Sequence, residues 1–469
     1  MAQLDLHPDR LLPTEPGVRA VAREVYAAVK DLPIVSPHGH VPAGWLADDV
    51  AFADPTSLLI TPDHYVTRLL HAHGVALSDL GVGRDDMDAA ASRAAFRTLC
   101  AHWPAYRGTV VKTWFEAELV EVFGVDVVPS AQTADAIYDR ITEQLATPQF
   151  RARALYERFG IEVLATTDDP CDDLADHRRL AEDPAWSGRV IPTFRPDRYL
   201  EPAAEGWNAA IDLLGRTAGT DVDHYSGWVE AMEARRAYFR EHGATSTDHS
   251  HRDVRAEPLD RAVAEELYLR ARKGDITPDE GDTLRRDLVF QMARMAADDG
   301  LVMTLHPAVA RNHHGPSHRA YGADVGADIP TQVEFTRSLQ PVLEAFGTHP
   351  GFQIVLFTID ETVYSRELAP LAGFYPSVYI GAPWWFIDAP DAMQRFRAAV
   401  TETAGFARTS GFIDDTRAFL SIPARHDVSR RVDAGFLARL VAEHRLTTDE
   451  AIATAHDLVL TNPKRAFRL

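Results

Sequence analysis

Eight short apolar runs, rich in β-branched residues, recur along this chain of 469 residues. They occupy residues 32–38, 161–167, 189–194, 243–247, 301–306, 352–358, 377–383 and 410–415. Nearly continuous apolar strands separated by helical patterns are typical of a parallel sheet, because helices cover both of its faces. Eight such units predict an α/β fold of the (β/α)8 TIM-barrel type. Periodicity does not establish closure, so a doubly wound open sheet is the alternative.

A long segment separates the first two runs. Residues 50–150 contain helical patterns such as TPDHYVTRLLHAHGV and QTADAIYDRITEQLA, in which apolar residues recur at helical spacing. We therefore expect a mostly helical insertion over residues 50–150. Residues 1–49 and 151–469 are expected to form the barrel itself.

The composition argues against several classes of protein. Lys and Arg total 48 and Asp and Glu total 69, and the net charge of −21 disfavours binding to nucleic acid or to anionic membranes. The two cysteines, Cys100 and Cys171, cannot form a disulfide framework. No run approaches 18 apolar residues and the N-terminus has no apolar signal core, so we expect a cytoplasmic protein without a membrane span. Composition leaves open whether identical subunits assemble.

Histidines and an aspartate follow three of the predicted strands. His38 and His40, in IVSPHGHV, lie two residues apart, and extended chain sends both side chains to the same side. His306 follows the fifth run and Asp415 ends the eighth. Because the carboxyl ends of barrel strands meet at one face, these residues predict an N3O site for zinc or another borderline divalent cation.

Further polar and aromatic residues follow other strands. His249 comes after the fourth run and is a candidate acid, base or hydrogen-bond donor. Arg195, Arg311 and Arg417 also lie at strand ends or shortly beyond them. Guanidinium groups bind planar carboxylates well, so the three arginines predict an organic acid as substrate. Trp384 and Trp385, which follow the seventh run, are candidates for one wall of the pocket, with packing in the core as the alternative.

Together these segments make the chain resemble the uronate isomerase (glucuronate isomerase) family of the amidohydrolase superfamily. The resemblance rests on KDLPIVSPHGHV, PDHYVTRLLHAHGV, ATTDDP, IPTFRPD, the STDH element, LHPAVARN, PWWFIDAPDAM and DDTRAFLS, which occur in the family's order. It implies a barrel enzyme that interconverts D-glucuronate with D-fructuronate, and D-galacturonate with D-tagaturonate, by proton transfer through a cis-enediolate. It also implies one divalent metal ion, with His38, His40 and Asp415 as ligands and His306 as a looser fourth.

The resemblance adds residues of the insertion to the expected active site, since His64, Tyr65 and Arg68 match a His-Tyr element of the family. The expected catalytic residues are then Asp415, His249, Tyr65 and His64, and the expected hexuronate-binding residues are Arg195, Arg417, Arg68, Trp385 and Arg311. Ser36 and Pro307 depart from the family pattern, which commonly has Asp and Ile there.

Two other functions remain as alternatives. A mononuclear metal-dependent hydrolase or deaminase would use the same barrel with a metal-activated water. A binuclear hydrolase is disfavoured, because His249 follows the fourth run in place of a lysine and Asp360 follows the sixth in place of a histidine. A sugar-acid binding protein without catalysis would bind its ligand without turnover.

Overall fold

The computed structural model describes residues 2–84 and 86–469. Its strands are β1 Ile34–Ser36, β2 Ile161–Ala165, β3 Arg189–Ile191, β4 Ser246–His249, β5 Val302–Leu305, β6 Val309–Ala310, β7 Ile329–Pro330, β8 Ile354–Leu356 and β9 Val378–Ile380. Its helices are α1 Pro16–Val29, α2 Ala43–Asp48, α3 Pro55–Leu59, α4 His64–Ala72, α5 Ala89–Ala101, α6 Val110–Ala117, α7 Ala134–Leu145, α8 Ala152–Arg158, α9 Ala175–Glu182, α10 Trp207–Ala218, α11 Tyr225–Glu241, α12 Arg261–Arg272, α13 Pro278–Asp299, α14 Gly315–Tyr321, α15 Gln340–Phe346, α16 Ala369–Phe374, α17 Pro390–Ala404, α18 Ile422–Ala442, α19 Thr448–His456 and α20 Asn462–Phe467.

Two parallel sheets form the centre of the fold. One contains β1, β2 and β3 in that order, and the other contains β4, β5, β8 and β9. A parallel bridge between Phe194 and Thr247 links the chain after β3 to β4. Every residue of β4 and β5 is buried, as expected of parallel strands covered on both faces. The α/β class with parallel strands is therefore confirmed.

Seven of the eight predicted runs overlap a strand of these two sheets, and the run 410–415 does not. The residue before it, Thr409, makes a parallel bridge to Ile380, and the N–H of Ser410 donates to the carbonyl of Ile380. Gly411 and Asp415 have positive φ values of 72° and 42°, which interrupt an extended chain. The prediction of a regular eighth strand was wrong for this reason.

Local sequence accounts for the bounds of the long helix α13. Thr277 and Glu280 form a reciprocal capping box at its start, and Pro278 occupies the first turn, where its missing N–H costs nothing. Gly300 ends the helix with a φ of 82°, a conformation that glycine adopts without strain. The helix thereby delivers the chain to β5 with its polar ends satisfied.

Helices α2 to α8 lie between β1 and β2, and α3 to α7 fall within residues 50–150. The antiparallel pair β6 and β7, after β5, was not predicted from the sequence. In the described part of the chain, no helix combines the length and the apolar character needed to cross a membrane.

Candidate active site

Two histidines and an aspartate meet next to the carboxyl end of β1. The Nε2 atoms of His38 and His40 lie 3.3 Å and 3.2 Å from Oδ1 of Asp415. The N–H of His40 donates to the carbonyl of Thr416 at 3.0 Å, which holds the two segments side by side. Tetrahedral bonds of about 2.1 Å keep ligand atoms about 3.4 Å apart, so the three side chains could hold a metal ion.

The electrostatics of this cluster also fit a cation. Burial raises the pKa of Asp415, but hydrogen bonds with the two imidazoles lower it well below its usual range. Burial lowers the pKa of His40. For His38 burial acts in the same direction, but the charges of Asp248 and Asp415 raise its pKa overall. The cluster therefore stabilises a positive charge, and its ionised carboxylate and neutral imidazole are the forms that bind metals.

Backbone strain is concentrated in the loops around this cluster. Ala308, Trp385 and Asp415 have φ values of 66°, 31° and 42°, in the left-handed region that residues with a Cβ rarely occupy. Each lies just beyond a strand or predicted strand. Strain of this kind costs about 1–3 kcal/mol per residue and is typical of functional sites.

His306 lies beside the cluster but faces a different carboxylate. Its ring centroid is 6.2 Å from that of His38, while its Nε2 is 2.6 Å from Oδ1 of Asp248. Asp248 is fully buried, which raises its pKa, but His306, His38 and Arg195 together lower it well below its usual range. The three-residue cluster does not include His306, so its role as a fourth ligand stays a prediction.

The polar pair at the end of β4 faces in two directions. Side chains alternate along a strand, and Asp248 points towards His306 and Arg195. The next residue, His249, contacts Oγ1 of Thr247 through Nε2 at 3.1 Å and does not line the cavity described below. Burial lowers its pKa to about 3. His249 therefore lies on the face of β4 opposite to Asp248, and its catalytic role stays a prediction.

Three predicted arginines surround the same space, each with a carboxylate partner. Arg195 pairs with Asp197 at 3.0 Å and with Asp248 at 3.4 Å. Arg417 donates to Asp324 at 2.7 Å, and Arg311 lies 3.4 Å from the same carboxylate. All three arginine side chains are partly exposed and line the cavity, so an anionic ligand can reach them.

The start of helix α4 contributes a histidine and a tyrosine. Asp63 caps the helix by accepting from the N–H of Tyr65, and the rings of His64 and Tyr65 stack with centroids 5.0 Å apart. The Tyr65 hydroxyl donates to Asp388 at 3.1 Å. Burial raises the pKa of Tyr65 well above its ordinary value. The guanidinium of Arg68, in contrast, lies 4.2 Å from the ring centroid of Phe386.

Most of these side chains line one cavity. Of the predicted site residues, those that line it are His40, His64, Tyr65, Arg195, His306, Arg311, Trp384, Trp385, Asp415 and Arg417. His38 is not a lining residue, but its Nε2 lies 3.3 Å from Oδ1 of Asp415, which lines the cavity. Arg68 and His249 are not among the lining residues, so the geometry gives neither a direct contact with a ligand there.

Several residues of the site were not found from the sequence. Asp248 and Asp324 hold the arginines. Arg425 lies on α18, pairs with Asp388 at 3.0 Å and also lines the cavity. Asp248 follows the predicted run 243–247 and so carried a signal. Arg425 carried none, because it comes from the first turns of a buried helix.

A family model described as glucuronate isomerase matches residues 17–467. The chain belongs to the glucuronate isomerase family. A uronate isomerase of Cutibacterium acnes is 55% identical over 466 residues, which cover 99% of each chain. The solved structure of the Caulobacter crescentus glucuronate isomerase has a TM-score of 0.97 at 46% identity and covers 100% of this chain and 98% of that one. That of the Thermotoga maritima uronate isomerase has a TM-score of 0.92 at 27% identity and covers 99% of each.

Membership in the glucuronate isomerase family confirms the resemblance carried by the sequence motifs. It also favours isomerisation over the hydrolase and the non-catalytic alternatives, since these relatives are named as isomerases over their full length. Family membership does not assign a role to each residue, so the roles are proposed below from the geometry of this cavity.

Proposed function

We propose that this protein is a uronate isomerase that interconverts D-glucuronate with D-fructuronate and D-galacturonate with D-tagaturonate. The observation that carries the proposal is the convergence, on one cavity of a member of this family, of a His-His-Asp cluster and three arginines. The arginines suit a sugar acid, and the cluster suits chemistry at the other end of the sugar. A hexuronate is thus the expected small-molecule partner.

We assign the binding of the C6 carboxylate to Arg195 and Arg417. Both line the cavity, and both are already paired with carboxylates that keep them in position. A planar guanidinium can donate two parallel hydrogen bonds to a carboxylate. Arg311, whose guanidinium lies 5.1 Å from the ring centroid of Trp385, closes the same side, and the indole offers a flat face to the sugar.

His38, His40 and Asp415 are the proposed ligands of one divalent metal ion, with zinc the expected metal. When bound there, such an ion supplies Lewis-acid stabilisation of negative charge on the reacting oxygens. His306 stands ready as a further ligand or as a hydrogen-bond donor beside Asp248. The spacing of the three donor atoms supports this assignment.

Isomerisation moves a proton from C2 to C1 of the sugar. We assign Asp415 as the base, because it lines the cavity and its ionised carboxylate can accept the C2 proton and return it to C1. The C2–H electron pair forms the C1–C2 double bond of a cis-enediolate as the C1=O electron pair moves to the C1 oxygen, which then gains a proton. The C2 hydroxyl loses its proton, its electron pair forms the C2=O bond, and the electron pair of the C1–C2 double bond takes the proton back from Asp415 at C1. Tyr65 lines the cavity and its hydroxyl is hydrogen-bonded to Asp388, and we assign it as the relay for this oxygen-to-oxygen transfer, with His64 stacked against it.

The same proposal extends to the architecture. Parallel bridges from Phe194 to Thr247 and from Ile380 to Thr409, together with the hydrogen bond from His40 to Thr416, support closure of the strands into a (β/α)8 barrel. We propose that residues 1–49 and 151–469 form this barrel and that 50–150 form an insertion whose His64 and Tyr65 complete the active site.

Proton NMR of the purified, zinc-supplemented protein with D-glucuronate, and separately with D-galacturonate, tests the proposed function. Appearance of the matching ketouronate is the expected result, and the two initial rates rank the epimers. If neither ketose forms while metal analysis shows one bound equivalent or more, the assignment as an isomerase is wrong. An Asp415→Asn variant serves as the matched inactive control.

A further inference from the structure

A second group of metal-binding side chains lies on the other face of β4. Asp197, His249 and His251 each offer a ligand atom, and these atoms all lie within 4.8 Å of one another. In the described residues, this and the cluster at Asp415 are the two groups of three or more such side chains. Asp197 follows β3, while His249 and His251 end β4 and begin the loop after it.

Both imidazoles are oriented by partners on their far sides. Nδ1 of His251 contacts Glu201 at 2.7 Å, and Nε2 of His249 contacts Oγ1 of Thr247 at 3.1 Å. A hydrogen bond to one ring nitrogen fixes the tautomer and leaves the lone pair of the other nitrogen free. A carboxylate that orients a histidine in this way is a usual partner of metal-ligating histidines.

The two remaining ring nitrogens have no hydrogen-bond partner although both are buried. They are Nδ1 of His249, whose side chain is fully buried, and Nε2 of His251. Nε2 of His251 is 3.7 Å from Oδ1 of Asp197, too long for a hydrogen bond but close to the distance of about 3.4 Å between ligands of one tetrahedral cation. Buried polar atoms without partners are uncommon and call for an explanation.

Carboxylates outnumber the arginines near this group. Arg195 lies between Asp197 at 3.0 Å and Asp248 at 3.4 Å, and the buried Arg285 lies between Asp253 at 3.0 Å and Glu201 at 3.8 Å. Four carboxylates thus face two guanidinium groups, which leaves net negative charge around the two imidazoles. A proton on His251, bridging Glu201 and Asp197, would balance part of it, but would leave Nδ1 of His249 without a partner.

We propose that Asp197, His249 and His251 form a second site for a divalent cation of the zinc class, separate from the reaction centre. Two imidazoles and one carboxylate, with an open fourth position, are a ligand set that zinc accepts. Asp197 also accepts a hydrogen bond from Nε of Arg195 through Oδ2 at 3.0 Å. A cation on Oδ1 would therefore fix the carboxylate that positions Arg195.

The test is the zinc stoichiometry of the full-length protein after equilibrium dialysis against buffered free Zn²⁺, measured by elemental analysis. We expect two equivalents for the wild type. His251→Asn is expected to retain one. Glu201 is partly exposed, and Glu201→Gln removes only the carboxylate that orients His251. This variant is expected to weaken the binding of one of the two zinc equivalents about 10- to 100-fold. Glu205→Gln, an exposed glutamate four residues further on, is the matched control and should retain both affinities.

A His38→Asn variant separates the two sites, because it alters the reaction centre and leaves the second site intact. One zinc equivalent should remain bound in His38→Asn, and its affinity should fall when Glu201→Gln is added. A wild type that binds a single equivalent, lost in His38→Asn, would overturn the proposal. The proposal would also be overturned if a second equivalent bound with unchanged affinity in both Glu201→Gln and His251→Asn. Circular dichroism checks that both variants are folded.

Discussion

Replacement of Arg195 by methionine tests how the protein selects a sugar acid. Methionine keeps an unbranched apolar chain of similar reach but cannot donate to a carboxylate. Arg195 is held between Asp197 and Asp248 with a quarter of its side chain exposed to the cavity. A hydrogen bond to a charged group contributes about 1.5–3 kcal/mol. At about 1.36 kcal/mol per tenfold change in rate, the variant should lose about 10- to 150-fold in kcat/KM for D-glucuronate.

The assay compares kcat/KM for D-glucuronate with that for D-glucose, which carries a CH2OH group in place of the C6 carboxylate. If Arg195 binds the carboxylate, Arg195→Met lowers the ratio of the two values by the same 10- to 150-fold. Arg68→Met is the matched control, because Arg68 packs on Phe386 outside the cavity lining and should leave the ratio unchanged. Equal losses on both sugars in Arg195→Met would refute the assignment.

Three further outcomes are expected. Asp415→Asn should lower kcat by about 10²- to 10⁴-fold and reduce bound zinc; full metal content with near-wild-type turnover would contradict both assigned roles. Removal of metal with a chelator should abolish turnover and lower the melting temperature, and added Zn²⁺ should restore both. Activity that survives verified metal removal would show that the reaction does not need the metal. Burial raises the pKa of Glu118 from 4.5 to about 8, so the free energy of unfolding should fall as pH rises between these values. Glu118→Gln should remove this fall and stabilise the protein by up to about 4 kcal/mol at pH 8. Urea denaturation at pH 5 and pH 8 measures the free energy of unfolding of the wild type and the variant. The same change between the two pH values in both proteins would contradict the prediction.

The strands were predictable because their burial on both faces leaves a strong apolar signal. The run 410–415 has the same signal but forms only isolated hydrogen bonds to its neighbours. Its glycine and its aspartate adopt left-handed conformations, and such backbone angles depend on surrounding contacts rather than on residue type. The antiparallel pair of β6 and β7 has two residues in each strand, too few for any periodicity to register.

The rule that site residues lie just after the strands of a parallel sheet predicted the cluster residues and the arginines, and the rule has a physical reason. Parallel strands of one sheet deliver the residues after them to one edge, so position along the chain predicts position in space. Arg425 escapes the rule, because it reaches the cavity from α18, with its guanidinium 3.8 Å from the ring centroid of Trp114 and 3.0 Å from Asp388. On a helix without a polar face, an arginine of the site looks like any other arginine.

The orientation of Asp248 and His249 was not predicted from the sequence, although the alternation of side chains along a strand applies to both. Alternation along extended chain correctly grouped His38 with His40. Applied to β4, it states that Asp248 and His249 face opposite sides, and so only one of them can meet Arg195 and His306. Sequence does not say which, because a parallel strand is apolar on both faces and its register is set by its neighbours. In this protein Asp248 pairs with Thr304 across the sheet, which directs its carboxylate to His306 and leaves His249 beside Asp197 and His251.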